Sequence, residues 1–203
     1  MTDARHPQTK RPQVPEDTAA PKEVEATSIA ARLDMPVVLI GLMGAGKSSV
    51  GRRLATMMER DFVDADDAIE DAAQRSIAEI FAEFGEAYFR DGERRVIARL
   101  MEEHSGVIAT GGGAFVDPDT RALILAKGLA VWSDCDIETL VERTSRRSTR
   151  PLLKTGNPRE ILTRLLSERG PLYAEAQVRV KSDEGPHTDT AMAILRAIED
   201  YLA

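Results

Sequence analysis

The chain has 203 residues, 42% of them hydrophobic and 30% charged, with a formal net charge of −7, which is enough for one domain with its own core. The acidic balance argues against nucleic acid or an anionic membrane as the main partner, and no apolar run approaches the roughly 20 residues of a membrane span. A single cysteine, Cys135, excludes an internal disulfide framework and suits a reducing cytoplasm, while the scattered His6, His104 and His187 offer no zinc site.

Residues 1–34 are rich in proline, alanine and charge, without an aromatic residue or an apolar period. Such a segment cannot bury enough surface to offset its ordering entropy, so a disordered extension is expected, with a short partner-binding element as the alternative. It lacks the apolar core of a secretory signal, and its acids argue against a transit peptide. From Met35 the pattern changes, and one folded domain is expected over 35–203. PVVLIG predicts a short buried strand ending in glycine, and KSSVGRRLATMMER places Val50, Leu54 and Met58 at helical spacing. DFVDAD predicts a second strand followed by helical DAIEDAAQR, and SIAEIFAEFGEAYFRDGERRVIARLMEEH predicts a helix broken at Gly85. GVIATGGG and GLAVWSD predict further strands, the second followed by helices over DIETLVERTSRR and PREILTRLLSERGPLY. AQVRVKS is a last strand and TDTAMAILRAIEDYLA the closing helix. Strands alternating with helices imply an α/β fold, a parallel sheet between two helical layers.

GLMGAGKS fits G-x-x-x-x-G-K-[ST] at Gly41, Gly46, Lys47 and Ser48, after a strand and opening a helix. Glycines there let backbone N–H groups turn inward around phosphate oxygens, and the helix N-terminus adds its positive end. Lys47 is expected to reach the β- and γ-phosphates and the Ser48 hydroxyl to bind Mg²⁺, with Gly44, Ala45, Gly46 and Ser49 completing the ATP contact. A GTPase would carry N-K-x-D, which is absent, and a motor-type ATPase normally needs more chain. A compact small-molecule kinase fits the length.

Phosphoryl transfer to a hydroxyl needs a carboxylate that can accept its proton. The stretch VDADDAIED supplies five acids. Asp64 and Asp66, two apart at the end of the second strand, are expected to face one pocket, where a metal lies between acid and phosphate. Asp67 and Glu70 are read as the helix start, so that the strand–helix boundary falls between Asp66 and Asp67, and Asp71 as solvated. Arg90 is expected to be oriented by Glu93 at i,i+3. Arg169 precedes GPLY at a helix end, and Arg150 closes the basic run RTSRRSTR. Gly111, Gly112 and Gly113 follow a buried strand; three glycines are costly to order there, which points to close backbone approach to a ligand. Trp132 and Cys135 are read as core residues.

Taken together, GLMGAGKSSVGRRLA, FVDADDAIE, SIAEIFAEFGEAYFRDGE, ATGGGA, RSTRPLL and ERGPLY, in that order, make the chain from about Met35 to its end resemble shikimate kinase. The resemblance implies a P-loop kinase fold with a five-stranded parallel sheet and a mobile lid at about 146–157. It also implies transfer of the γ-phosphate of ATP to shikimate by a cytoplasmic, monomeric enzyme. On the same resemblance Asp66 is the base that holds the ring hydroxyls, and Lys47 and Arg150 are catalytic. Arg90 and Arg169 grip the substrate carboxylate, Gly111–Gly113 line the pocket, and Ser48 and Asp64 hold Mg²⁺. Arg150 is the lid arginine over the phosphates, and Arg143 flanks the adenine. The segment SDEGPHTD departs from the family in lacking the basic residue that some members carry, and residues 1–34 lie outside the resemblance. A gluconate kinase is the nearest rival and would lack the set Asp66, Arg90, Gly111–Gly113 and Arg169; a non-catalytic nucleotide-binding module would show decay of those residues.

Overall fold

The computed structural model describes residues 26–145, 156–182 and 185–203. Its centre is a five-stranded, wholly parallel sheet in the order β2-β3-β1-β4-β5, formed by β1 (Val37–Ile40), β2 (Phe62–Asp64), β3 (Val107–Ala109), β4 (Leu129–Asp134) and β5 (Val178–Lys181). β1, β3 and β4 are buried along their whole length, which is why each reads as a nearly unbroken apolar run. The edge strand β5 alternates instead. Its Val178 and Val180 are buried, while Arg179 and Lys181 are exposed and both reach the buried carboxylate of Asp134 at 2.7 Å.

Helices α1 (Ala26–Arg32), α2 (Lys47–Met57) and α8 (His187–Leu202) cover one face of the sheet. There Leu39, Val131 and Val180 meet Val50, Leu54, Ile194 and Leu195. Helices α4 (Ile77–Glu103), α5 (Pro118–Lys127), α6 (Ile137–Ser145) and α7 (Pro158–Tyr173) cover the other, where Ile40, Ile108 and Trp132 meet Ile97, Ile124, Leu140 and Leu162. This is the expected three-layer αβα arrangement, and Trp132 and Cys135 both lie in its core. Helix α3 (Ala65–Ala73) packs on the start of α4 through a separate, small cluster of Ile69, Ile80 and Phe89. The break expected at Gly85 is present: its φ of 80° and ψ of 177° interrupt α4.

Three expectations need correction. Of the extension expected over 1–34, residues 1–25 lie outside the described residues, and the rest is not disordered, since α1 starts at Ala26. Ile29 and Leu33 are only 1% and 3% exposed, packed with the core of α2 and α8. The Arg60 guanidinium caps the carbonyls of Ala30 and Leu33 at 2.5 Å each and also holds that of Ser105. Two apolar residues four apart are too short a pattern to see in a polar segment, and a seven-residue helix draws its stability from tertiary contacts. The second correction concerns Asp66, which is not in a strand. β2 ends at Asp64, whose carboxylate accepts the Asp66 N–H at 3.1 Å and caps α3, so the boundary lies at Asp64. Helix α5 and the 3-10 turn Ala114–Val116 were also missed. Yet Asp117 accepts the Thr120 N–H at 2.8 Å ahead of Pro118, a helix-start signature present in the sequence. The expected lid at 146–157 lies outside the described residues except for Gly156 and Asn157, and Arg150 lies outside them too.

Candidate active site

Parallel strands deliver their C-terminal ends to one edge, where a ligand can lie across several of them. β1 runs there into the glycine-rich loop, β2 into Asp64, and β3 into Gly111–Gly113. The loop turns at Gly41 (φ 135°), Gly44 (φ 87°) and Gly46 (φ 81°), and α2 starts at Lys47. At Gly41 a side chain is excluded twice, since a Cβ would also lie 2.8 Å from the Ser133 carbonyl. Lys47, 8% exposed, spans its own loop: Nζ donates to the carbonyls of Gly41 (2.8 Å) and Leu42 (3.0 Å). From the far end of the chain, the buried Ser182 hydroxyl donates to the Ala45 carbonyl at 3.1 Å. Ser48 and Ser49 occupy the first turn of α2, half-buried.

Arg143, on α6, lies beside the loop. Its Nη1 is 3.5 Å from Ser182 Oγ and 3.9 Å from Cys135 Sγ. Arg143 and His187 flank Gly46, with Nη1 3.6 Å and Cε1 3.7 Å from where a Cβ would stand.

The glycine triplet is the meeting point of the site. A Cβ on Gly111 would stand 2.8 Å from Asp66 Oδ1 and 3.2 Å from Glu93 Oε1. One on Gly112 would stand 3.2 Å from the Met43 N atom of the phosphate loop, and one on Gly113 would strike the Arg90 guanidinium at 2.5 Å. Three successive residues thus face the acid, the loop and the arginine in turn. Their carbonyls are all committed to protein donors: Gly111 to Ala114 N–H, Gly113 to Val116 N–H, and Gly112 to Arg169 Nη1 (2.9 Å) and Tyr173 Oη (2.5 Å).

Electrostatics separate the acids. Burial raises the Asp66 carboxyl above its ordinary value, Asp64 adds to the rise, and Lys47 opposes it. Glu93, 2% exposed, is likewise raised by burial, although Arg90 Nη1 donates to its Oε2 at 2.7 Å. For Arg90 burial works against the charge, but Glu93 and Glu86 outweigh it and hold the guanidinium above its ordinary value. Burial also raises the Tyr173 hydroxyl, which keeps it a proton donor to Gly112. Of the remaining acids, Glu70 accepts the Ile77 N–H at 2.8 Å and so ties α3 to α4, while Asp67 and Asp71 are exposed.

The structure brings together Asp64, Asp66, Arg90, Gly111–Gly113 and Arg169 around the mouth of the phosphate loop, with Arg143 on its other flank. Glu93, expected only as a partner of Arg90, also faces Asp66 across Gly111. Tyr173, Ser182 and His187 were missed. Tyr173 ends the quoted ERGPLY and could have been found there, whereas Ser182 and His187 reach the loop only through the fold. Among the described residues no group of three or more His, Cys, Asp or Glu side chains could hold a metal ion.

Residues 43–199 match the family model described as shikimate kinase. A shikimate kinase from Novosphingobium aromaticivorans is 57% identical over 190 residues, covering 92% of this chain and 98% of that protein. One from Caulobacter vibrioides is 56% identical over 162 residues, 80% of this chain and 81% of that one. Among solved structures, shikimate kinase from Acinetobacter baumannii in complex with shikimate superposes with a TM-score of 0.80 at 36% identity, over 84% of this chain and 97% of that one. A gluconokinase from Sinorhizobium meliloti gives a TM-score of 0.53 at 17% identity, over 83% of this chain and 94% of that one, and so shares the fold alone.

Proposed function

The chain belongs to the shikimate kinase family, and from that premise we propose how its residues divide the work. It is an ATP-dependent phosphotransferase that moves the γ-phosphate of ATP to the 3-hydroxyl of shikimate, giving shikimate 3-phosphate and ADP on the route to chorismate and the aromatic amino acids. The observation that carries the assignment of roles is the triplet Gly111–Gly113, where Asp66, the phosphate loop and Arg90 each come within 3.2 Å of where a Cβ would stand.

Backbone N–H groups from Gly44 to Ser49 hold the phosphates of ATP, and Lys47 moves from its carbonyls to the β- and γ-oxygens. Asp66 receives the proton of the 3-hydroxyl. A carboxylate raised by burial is a better base than an exposed one, because its affinity for the proton lies closer to working pH. Arg90, braced by Glu93 and Glu86, and Arg169 hold the substrate carboxylate, a planar bidentate task that suits guanidinium. With the triplet's carbonyls turned into protein contacts, its N–H groups are what it has left to offer the acceptor. Arg143 flanks the adenine beside Gly46, and Arg150 covers the transferring phosphate; the family resemblance alone supports the latter role.

Ser48 and Asp64 would hold Mg²⁺. Both are hard oxygen donors, and Asp64 commits Oδ1 to the α3 cap while Oδ2 is left for the ion or one of its waters. When bound, the ion neutralises charge on the phosphate oxygens. We read the enzyme as a cytoplasmic monomer, on the family resemblance alone. ADP release followed in a coupled assay, with shikimate, gluconate or no acceptor, tests the reading. Turnover is expected on shikimate, and turnover on gluconate alone, or none with any acceptor, would overturn it.

A further inference from the structure

Arg121, on α5, touches none of the ligand-facing groups, yet it connects both walls of the carboxylate side. Its Nη1 donates to the carbonyls of Phe115 (3.1 Å) and Val116 (3.2 Å), in the 3-10 turn that follows Gly113. Its Nε donates to Glu175 Oε2 at 3.1 Å, just past the end of α7. The turn is continuous with the glycines through the bonds from Ala114 to Gly111 and from Val116 to Gly113. Helix α7, for its part, carries Arg169 and Tyr173, which share the Gly112 carbonyl. The Arg121 side chain is 17% exposed, whereas an ordinary surface pair such as Arg164–Glu168 leaves its side chains 70% and 59% exposed.

We propose that Arg121, with Glu175 as its counter-ion, is a positioning residue for substrate carboxylate recognition: it fixes the turn behind the glycine triplet to the end of the helix that presents Arg169. This rests on the reading of Arg169 and the triplet as the carboxylate site. Removing the bridge leaves two partly buried carbonyls without their guanidinium donor and lets the turn shift against α7. A guanidinium clamp displaced by a fraction of an ångström loses its two-point geometry, so the loss falls on the acid substrate and not on ATP.

The test compares shikimate with its methyl ester, which lacks the anionic carboxylate, in wild type, Arg121→Gln, Glu175→Gln and Arg169→Ala, alongside melting temperature and KM for ATP. Arg121→Gln is expected to raise KM for shikimate roughly tenfold, leave KM for ATP within about twofold, and cut the preference for acid over ester by a similar factor. Glu175→Gln should move the same preference roughly two- to threefold, as expected for loss of one partly exposed charged hydrogen bond. Arg121→Lys should recover part of the loss. A wild-type preference in both Arg121→Gln and Glu175→Gln, while Arg169→Ala abolishes it, would overturn the proposal and leave the carboxylate site standing. An unchanged preference in Arg169→Ala would instead overturn the site itself. Should Arg121→Gln not fold, Glu175→Gln decides, since its side chain is 46% exposed and its replacement leaves the core intact; a wild-type preference there overturns the proposal.

Discussion

The phosphate loop and the acceptor side of the site rest on very different amounts of buried structure. The loop leaves β1 between two large hydrophobic clusters and is pinned by Ser182 from β5's end and by its own Lys47. The acceptor side hangs on α3 and the first turns of α4, joined by Ile69, Ile80 and Phe89 and interrupted at Gly85. Nearby, Phe84 and Tyr88 stack on each other, 43% and 53% exposed, outside any core. Segments with few buried contacts open at lower free energy than the global fold, so the half that must admit an acceptor is the half built to yield. An anion site, by contrast, gains from donors already held in place.

The largest expected effect lies on the acceptor side. Asp66→Asn keeps the shape of the side chain but removes the proposed base, and kcat should fall by roughly 10²–10⁴-fold. ATP affinity, measured by equilibrium titration, should remain near wild type, because the loop is held by other residues. A matching loss of ATP affinity would show that the two regions are not separable at Asp66.

Next come two glycine replacements that ought to differ in kind. Gly41→Ala forces a side chain onto a φ of 135° and against the Ser133 backbone carbonyl, which cannot move aside. A cost on the order of 1–3 kcal/mol in stability is expected, read as a lower melting temperature. Gly113→Ala meets the Arg90 guanidinium, the end of a flexible side chain. Melting should change little there, while KM for shikimate rises by roughly tenfold as the clamp is displaced. Similar melting losses in both variants would erase the proposed contrast.

The smallest effect concerns the sheet edge. Burial works to raise the Asp134 carboxyl, but hydrogen bonds from Lys181 and Arg179 outweigh it and hold it below its ordinary value. A carboxyl lowered in the folded state adds stability above its unfolded value, about pH 4, and loses it as pH falls through the lower folded value. The melting difference between wild type and Asp134→Asn should therefore be constant near neutrality and shrink in acid below about pH 4. A difference that grows in acid would reverse the assignment.

How much of this was legible in the sequence follows from where each signal resides. The phosphate loop is contiguous and announces itself through its own glycines, and β1, β3 and β4 are legible because strands buried on both faces become apolar runs. The Arg90–Glu93 pair was readable from helical spacing and is present at 2.7 Å. Asp66 was assigned to the pocket for the wrong reason: two-residue strand alternation suggested a shared face, whereas a cap by Asp64 puts Asp66 in the first helical turn. Ile29 and Leu33 gave too short a pattern to mark α1 against the polar residues before it. Ser182 meets Ala45 across 137 positions of chain, a distance no local pattern spans.

One feature of the site bears on what can bind there. Lys47 and Arg169 already rest on backbone carbonyls, at 2.8 and 3.0 Å for the lysine and 2.9 Å for the arginine. An incoming anion does not meet naked cations; the ammonium and the guanidinium that face it are already held in place by neutral acceptors. Where Lys47 leaves its carbonyls for phosphate, affinity reports the difference between a charged acceptor and a neutral carbonyl, about 1 kcal/mol for each exchanged bond. A ligand with formal negative charge at both anchoring points gains charge-assisted hydrogen bonds there that a neutral mimic does not make.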